Sequence, residues 1–248
     1  MGARRLFSAV AGQPVRMNRF WKNVELAATP QGYAILLDSR PLKTPLGTPV
    51  AIPHSHHVLA LLTAAEWEGQ DKVLKSYTLP MTSIVVRALD SFADPLIRSG
   101  VVSNVMNYVD TDSICYFQDY PSSFVKLQDD HWKPIHQWLE RTYSIKIATT
   151  ESIVRIKQSQ QAHDTFRALA DGFDNIKLAA FEKAVLRSKS FMIALALVEG
   201  AISVSQAEAA ARLEVMQQIN RWGEVEDAHD IDQADMRKQL GAARCALI

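Results

Sequence analysis

Only two cysteines, Cys115 and Cys245, occur in 248 residues, and they form no Cys-x-x-Cys pair. So few in a chain this long point to a reducing compartment and exclude a disulfide scaffold. Clustered glycine is missing too. The ten glycines are scattered, with neither Gly-x-Gly-x-x-Gly nor Gly-x-x-x-x-Gly-Lys-Ser/Thr, so no phosphate cradle is present in the sequence. Excess charge is absent: Lys+Arg and Asp+Glu both total 27, which removes the electrostatic footprint of a nucleic-acid binder. The longest apolar run, Phe191–Val198, has eight residues. A bilayer span needs about 20, so this run predicts a buried core helix and no membrane insertion. Acids are missing from the first 22 residues, which carry Arg4, Arg5, Arg16, Arg19 and Lys22 with Leu6, Phe7 and Val10 interleaved. Residues 1–18 therefore read as a mitochondrial transit peptide or its remnant, or else as the frayed basic start of a bacterial cytoplasmic protein.

What is present suits a globular chain with a substantial core: 48% of residues are apolar and 22% charged. Phe20–Ala28 and Tyr33–Asp38 flank the turn Thr29-Pro30-Gln31-Gly32, which predicts an antiparallel hairpin. Pro41, Pro45, Pro49 and Pro53 remove backbone donors, so this segment should be extended surface chain with at most edge strands such as Val50–Ile52. Ser55 is placed to cap a helix running to about Trp67, and Val73–Leu79 is a further strand candidate. Helical spacing then dominates in Met81–Phe92, Leu96–Tyr108 and Phe124–Tyr143, the last disturbed by Pro134. Ile114–Phe117 and Ile145–Ile147 suit short strands or linkers. Ile176–Val198 reads as one long central helix, and Ser205–Trp222 as an amphipathic one with Ala211, Val215, Ile219 and Trp222 on one face and Gly223 as its stop. The expected class is α+β: a small N-terminal antiparallel-sheet and helix domain over residues 19–95, followed by an all-helical domain over 96–248.

No catalytic set assembles from this inventory. His54, His56 and His57 at a helix start point in different directions, and Pro134 disrupts the spacing of His131 and His136, so both groups are better explained as surface histidines than as metal ligands. His229-Asp230 matches the two-letter signature of metal-dependent phosphohydrolases, with His163-Asp164 as a conceivable partner, but that chemistry needs more ligands. Cys115, flanked by Ile114, Tyr116 and Phe117, reads as a core residue, and Trp67 as a core anchor. Arg40 and Lys43 suit anion contacts and solvated charges equally. The expectation is no enzyme, no metal and no cofactor. Between Gly223 and Asp235, however, lie Glu224, Glu226, Asp227, Asp230, Asp232 and Asp235 without a single Lys or Arg. They directly follow an apolar helix ending in Trp222. That composition fits either a solvated face or a protein-binding patch with an aromatic anchor.

Several ordered segments carry a family resemblance: RFWK at 19–22, LDSRPLKTP at 37–45, AAEWEGQ at 64–70, LPMTSIVVRALD at 79–90, TDSICY at 111–116, LQDDHWKPIHQW at 127–138, LRSKSFMIALALVEG at 186–200 and RLEVMQQINRWGEVEDAHD at 212–230. From about Asn18 to Ala243 the chain resembles the assembly chaperones of the ATP synthase alpha subunit. Ser39, Lys133 and the order of Pro80 and Met81 depart from the family's usual residues, and 149–175 is the least similar stretch. The resemblance implies a non-enzymatic protein of the mitochondrial matrix, monomeric when free, that holds the unassembled alpha subunit until it pairs with the beta subunit. It implies partner-binding roles for Glu214, Trp222, Glu224, Glu226, His229 and Asp230, and a folding role for Trp67. The alternatives are a phosphohydrolase using His229-Asp230 and a structural subunit of a mitochondrial complex.

Overall fold

Thr29 and Gly32 face each other across the tight end of an antiparallel hairpin formed by β1 (Val24–Thr29) and β2 (Gly32–Leu37). Gly32 has φ +136°, and a Cβ there would run into the Ile52 carbonyl, so the turn requires glycine. The protein is described by a computed structural model covering residues 18–248, so the transit-peptide expectation falls outside the described residues except at Asn18. Two short strands, β3 (Arg40–Pro41) and β4 (Ala51–Ile52), also pair antiparallel with β2. The class is α+β, with this small antiparallel sheet at the N-terminal end and helices thereafter. The proline-rich segment is not extended throughout: it folds back through a turn at 45–47 that sets Lys43 against Pro49 in an antiparallel bridge. Its prolines are exposed as expected, but Leu42, Thr44, Val50 and Ile52 between them turn into the core.

Helix α1 (His57–Glu68) differs from expectation at its start: Ser55 does not cap it. A 3₁₀ turn over His54–His56 precedes the helix, and the Ser55 hydroxyl bonds His56 Nδ1 at 3.0 Å instead. Val73–Leu79 is not a strand. It contributes one bridge, Asn18 to Val73, then a 3₁₀ turn at Ser76–Thr78. Helix α2 (Pro80–Val86) runs on through a π-helical turn at Arg87–Ser91, and α3 (Pro95–Met106) starts at Asp94, whose carboxylate accepts the Leu96 N–H. Phe124–Tyr143 is two helices, α4 (Ser122–His131) and α5 (Lys133–Tyr143). Pro134 lies in the first turn of α5, where its missing N–H would have had no helical partner. Ile114–Phe117 forms a 3₁₀ turn and a bridge from Tyr116 to Thr150 rather than a strand, and α6 (Gln160–Gly172) follows the extended 145–147 segment.

The long central helix is also broken. Helix α7 (Asn175–Ser188) stops at Lys189, which adopts a left-handed φ of 58°, and Ser190 caps α8 (Phe191–Val198) by accepting the Ile193 N–H. Hydroxyls explain the break: Ser188 Oγ accepts the Ser190 N–H, so side chains take over bonds that a continuous helix would have made. Every residue of α8 is buried, as its composition predicts. From 80 positions away, the buried carboxylate of Asp112 accepts the Met192 N–H at 2.9 Å and holds the start of α8. The expected Ser205–Trp222 helix divides at Arg212 into α9 (Val204–Ala211), opened by a Ser203–Gln206 capping box, and α10 (Leu213–Trp222), ended by Gly223 at φ 88°. The last helix, α11 (His229–Cys245), packs on α7 and α9. One contiguous apolar core runs from Trp21 to Ala246, with α2 touching α1 on one side and α7 and α11 on the other. Among the described residues, no helix is long and apolar enough to cross a membrane.

Candidate partner-binding surface

Arg212, only 3% exposed, organises the C-terminal end. Its guanidinium donates to Glu208 at 3.2 Å within α9, to Asp232 at 3.2 Å on α11, and to the His229 carbonyl at 2.8 Å. The equally buried Glu208 also accepts from Arg237 at 3.0 Å and Gln233 at 3.2 Å. Arg187 of α7 adds contacts to Asp232 at 3.0 Å and Asp235 at 3.1 Å. Charges taken out of water must be paired, and here the pairing ties the start of α10 to the first turns of α11. The C-terminal side of segment 223–228 is thereby anchored through the His229 carbonyl.

This network divides the acidic run. Asp232 and Asp235 belong to the internal ion pairs, and neighbouring Lys238 holds the Asp235 carboxyl below the usual carboxylate range. Glu224, Glu226, Asp227 and Asp230 are exposed and make no ion pair among the described residues. Beside them three large apolar side chains face solvent: Trp222 at 71%, Val225 at 58% and Ile231 at 58%. The Arg221 guanidinium lies 5.2 Å from the Trp222 ring. Glu214, in the first turn of α10 where a carboxylate complements the helix dipole, lines a shallow pocket of about 270 Å³ with Gln217, Arg221, Trp222, Pro121 and Phe124. His229 is half-buried, and its Nδ1 accepts the Val225 N–H at 3.1 Å, which braces the loop. Asp230 Oδ1 accepts the Ile231 N–H at 2.8 Å and stays exposed. Of the sequence candidates, Glu214 and Trp222 share one pocket, Glu224 and Glu226 occupy the loop, and His229 and Asp230 open α11.

The other candidates separate. His163 Nε2 lies 2.8 Å from Asp110, so it is committed to a pair that does not include His229. No group of three or more His, Cys, Asp or Glu able to hold a metal occurs among the described residues. The donor set therefore does not fit a metal-dependent phosphohydrolase. Cys115 is fully buried, 4.0 Å from Met192 Sδ, and burial pushes its thiol well above the usual range, so it is unreactive. His54 bonds the Thr29 carbonyl at 2.9 Å, and burial pulls His136 down to about 4. Trp67 donates to Thr82 at 3.0 Å and packs on Trp21, whose own Nε1 reaches the Trp67 carbonyl at 3.3 Å. Glu208 and Arg212 escaped sequence reasoning, although their i, i+4 spacing on an apolar segment was a usable signal.

Comparison with known proteins gives a consistent set. The family described as ATP12 chaperone protein matches residues 18–140. The mitochondrial protein atp12 of Schizosaccharomyces pombe is 30% identical over 248 aligned residues, covering 96% of this chain and 85% of the relative. Its namesake in Saccharomyces cerevisiae is 28% identical, covering 92% and 83%. The crystal structure of Atp12 from Paracoccus denitrificans superposes with a TM-score of 0.78 at 28% identity, covering 93% of this chain and 95% of that one.

Proposed function

The chain belongs to the ATP12 chaperone family, and from that premise we propose that it is an assembly chaperone of the ATP synthase, holding the unassembled alpha subunit until the beta subunit takes its place. The observation that carries the choice of surface is the exposed Trp222, Val225 and Ile231 close in sequence to four exposed carboxylates that make no ion pair among the described residues. A subunit awaiting assembly exposes an obligate interface that aggregates unless covered. A buried-ready aromatic with a charged rim suits moderate, reversible binding to such a surface, and rim charges speed encounter with a basic partner. Glu214, Trp222, Glu224, Glu226 and Asp230 are assigned to contact, and His229 to bracing the loop. Release by competition from the beta subunit needs no nucleotide, in keeping with the lack of a phosphate loop in the sequence. The mitochondrial relatives support a mitochondrial location, within which the proposed role places the protein in the matrix, and the Paracoccus relative fits a bacterial cytoplasm as the alternative.

The test is capture of free alpha subunit by the triple variant Glu224→Lys, Glu226→Lys, Asp230→Lys, with circular dichroism and melting temperature as controls. Capture should fall sharply while the melt stays native, and parental capture should weaken with added salt. Undiminished capture by a natively melting variant would remove this surface from the binding site.

A further inference from the structure

At the opposite end of the chain, residues 18–22, the end of β2, β3 and the Trp67 turn of α1 enclose a groove of about 490 Å³. Its floor is apolar. Phe20 is 65% exposed and stands edge-on to Trp21, which packs on Trp67, each ring pair 5.1 Å apart, and Leu74 closes the end. The wall is rigidly built. Arg19 donates to the carbonyls of Trp21, Lys22, Glu68 and Gln70, so the segment carrying Phe20 is fastened to the end of α1. Arg40 and Lys43 stand on the rim, both exposed and without an ion pair among the described residues, and none of the ten lining residues carries a carboxylate.

We propose that this groove receives an extended segment of a protein partner in which a large apolar side chain is flanked by carboxylates. The charge on the rim selects the sign, and the aromatic floor selects the apolar anchor. Pro41, on the short strand β3, lacks an N–H, which blunts backbone pairing at this edge and leaves recognition to side chains. The chain's own residues 1–17 carry Arg4, Arg5 and Arg16 and no acid, so they match the rim in sign and are poor occupants. The inference is independent of which subunit the C-terminal surface holds.

The test titrates the full chain into a fluorescein-labelled peptide, Asp-Glu-Leu-Phe-Asp-Glu, and into its amide counterpart, Asn-Gln-Leu-Phe-Asn-Gln, read by anisotropy. The acidic peptide should bind saturably and lose affinity with salt. The Arg40→Glu, Lys43→Glu double variant and Phe20→Ala should each bind it about ten-fold more weakly or worse, a difference of about 1.4 kcal/mol. Native melts of these variants confirm the fold. Glu224→Gln, Glu226→Gln, which adds no basic rim beside Trp222, should bind it unchanged, which separates this site from the proposed alpha-subunit surface. No saturable binding, equal binding of the amide peptide, or full affinity in the charge-reversed variant each overturns the proposal.

Discussion

Replacing Arg212 by Met should be the most informative single change in the C-terminal half. The guanidinium is 3% exposed and serves Glu208, Asp232 and the His229 carbonyl. Removing one member of a buried ion pair typically costs about 3–5 kcal/mol, because the other charge is left without its partner. Glu208 would keep Arg237 and Gln233, and Asp232 is almost half exposed, so the low end applies, about 3 kcal/mol. For a chain of this length that is a fall in melting temperature of roughly 6–12 °C. Neutralising the stranded acid with Glu208→Gln in the same molecule should recover part of the loss, a coupling that a double-mutant cycle measures. Alpha-subunit capture should fall further than the unfolded fraction explains, because the start of α11 is no longer tied to α10. Thermal and urea melts read the first two quantities, and capture at a temperature where the variant is folded reads the third. A loss below about 1 kcal/mol, or a double variant no more stable than Arg212→Met, would show that the network does not hold this end together.

Two buried groups should oppose each other in the pH dependence of stability. Burial raises Asp112 from 3.8 to about 6, so its stability contribution is full below pH 4 and is lost as pH rises through 6, a change of about 3 kcal/mol. Burial lowers His136 from 6.5 to about 4, so its contribution is full above pH 6.5 and is lost as pH falls through 4. Asp112→Asn should therefore leave stability rising between pH 4 and 6, and His136→Gln should leave it falling. Urea midpoints across that window check both signs, and parallel profiles for the two variants would contradict the assignment. Lys189→Gly should raise stability by about 1 kcal/mol, since the exposed lysine occupies a left-handed conformation that glycine adopts freely. An unchanged or lower melting temperature would count against strain at that break.

The hairpin, the buried Phe191–Val198 helix and the Gly223 stop were legible because each depends on local chemistry: a turn sequence, an all-apolar run, a residue tolerant of positive φ. The helix breaks were less so. Ser188 and Ser190 end one helix and start another through hydroxyl bonds, while an apolar count over 176–198 registers only continuity. The division of a helix at Arg212 coincides with long-range ion pairs, Arg212 to Asp232 and Glu208 to Arg237, 20 and 29 positions apart, that periodicity cannot pair. The same long-range pairing explains why the acidic run looked uniform. Asp232 is distinguished from Glu224 and Glu226 by arginines at 187 and 212, and Asp235 by Arg187 together with its near neighbour Lys238, the arginines being brought there by folding. The N-terminal groove was hidden for a similar reason, since Phe20, Arg40 and Trp67 meet only in three dimensions.

Exposed carboxylates without an ion pair among the described residues, near Trp222, Val225 and Ile231, have a further consequence for a molecule of zero formal net charge. With no global repulsion to keep copies apart, an exposed apolar strip is where they would adhere to one another. Two copies meeting strip to strip about a two-fold axis bring their acids within the roughly 8 Å over which charge acts at physiological ionic strength, and repel. An apolar surface edged with lysine or arginine meets the opposite field. Under the proposed function the acids would then act as a filter against self-adhesion, letting a sticky surface stay open in solution while denying it to its own kind.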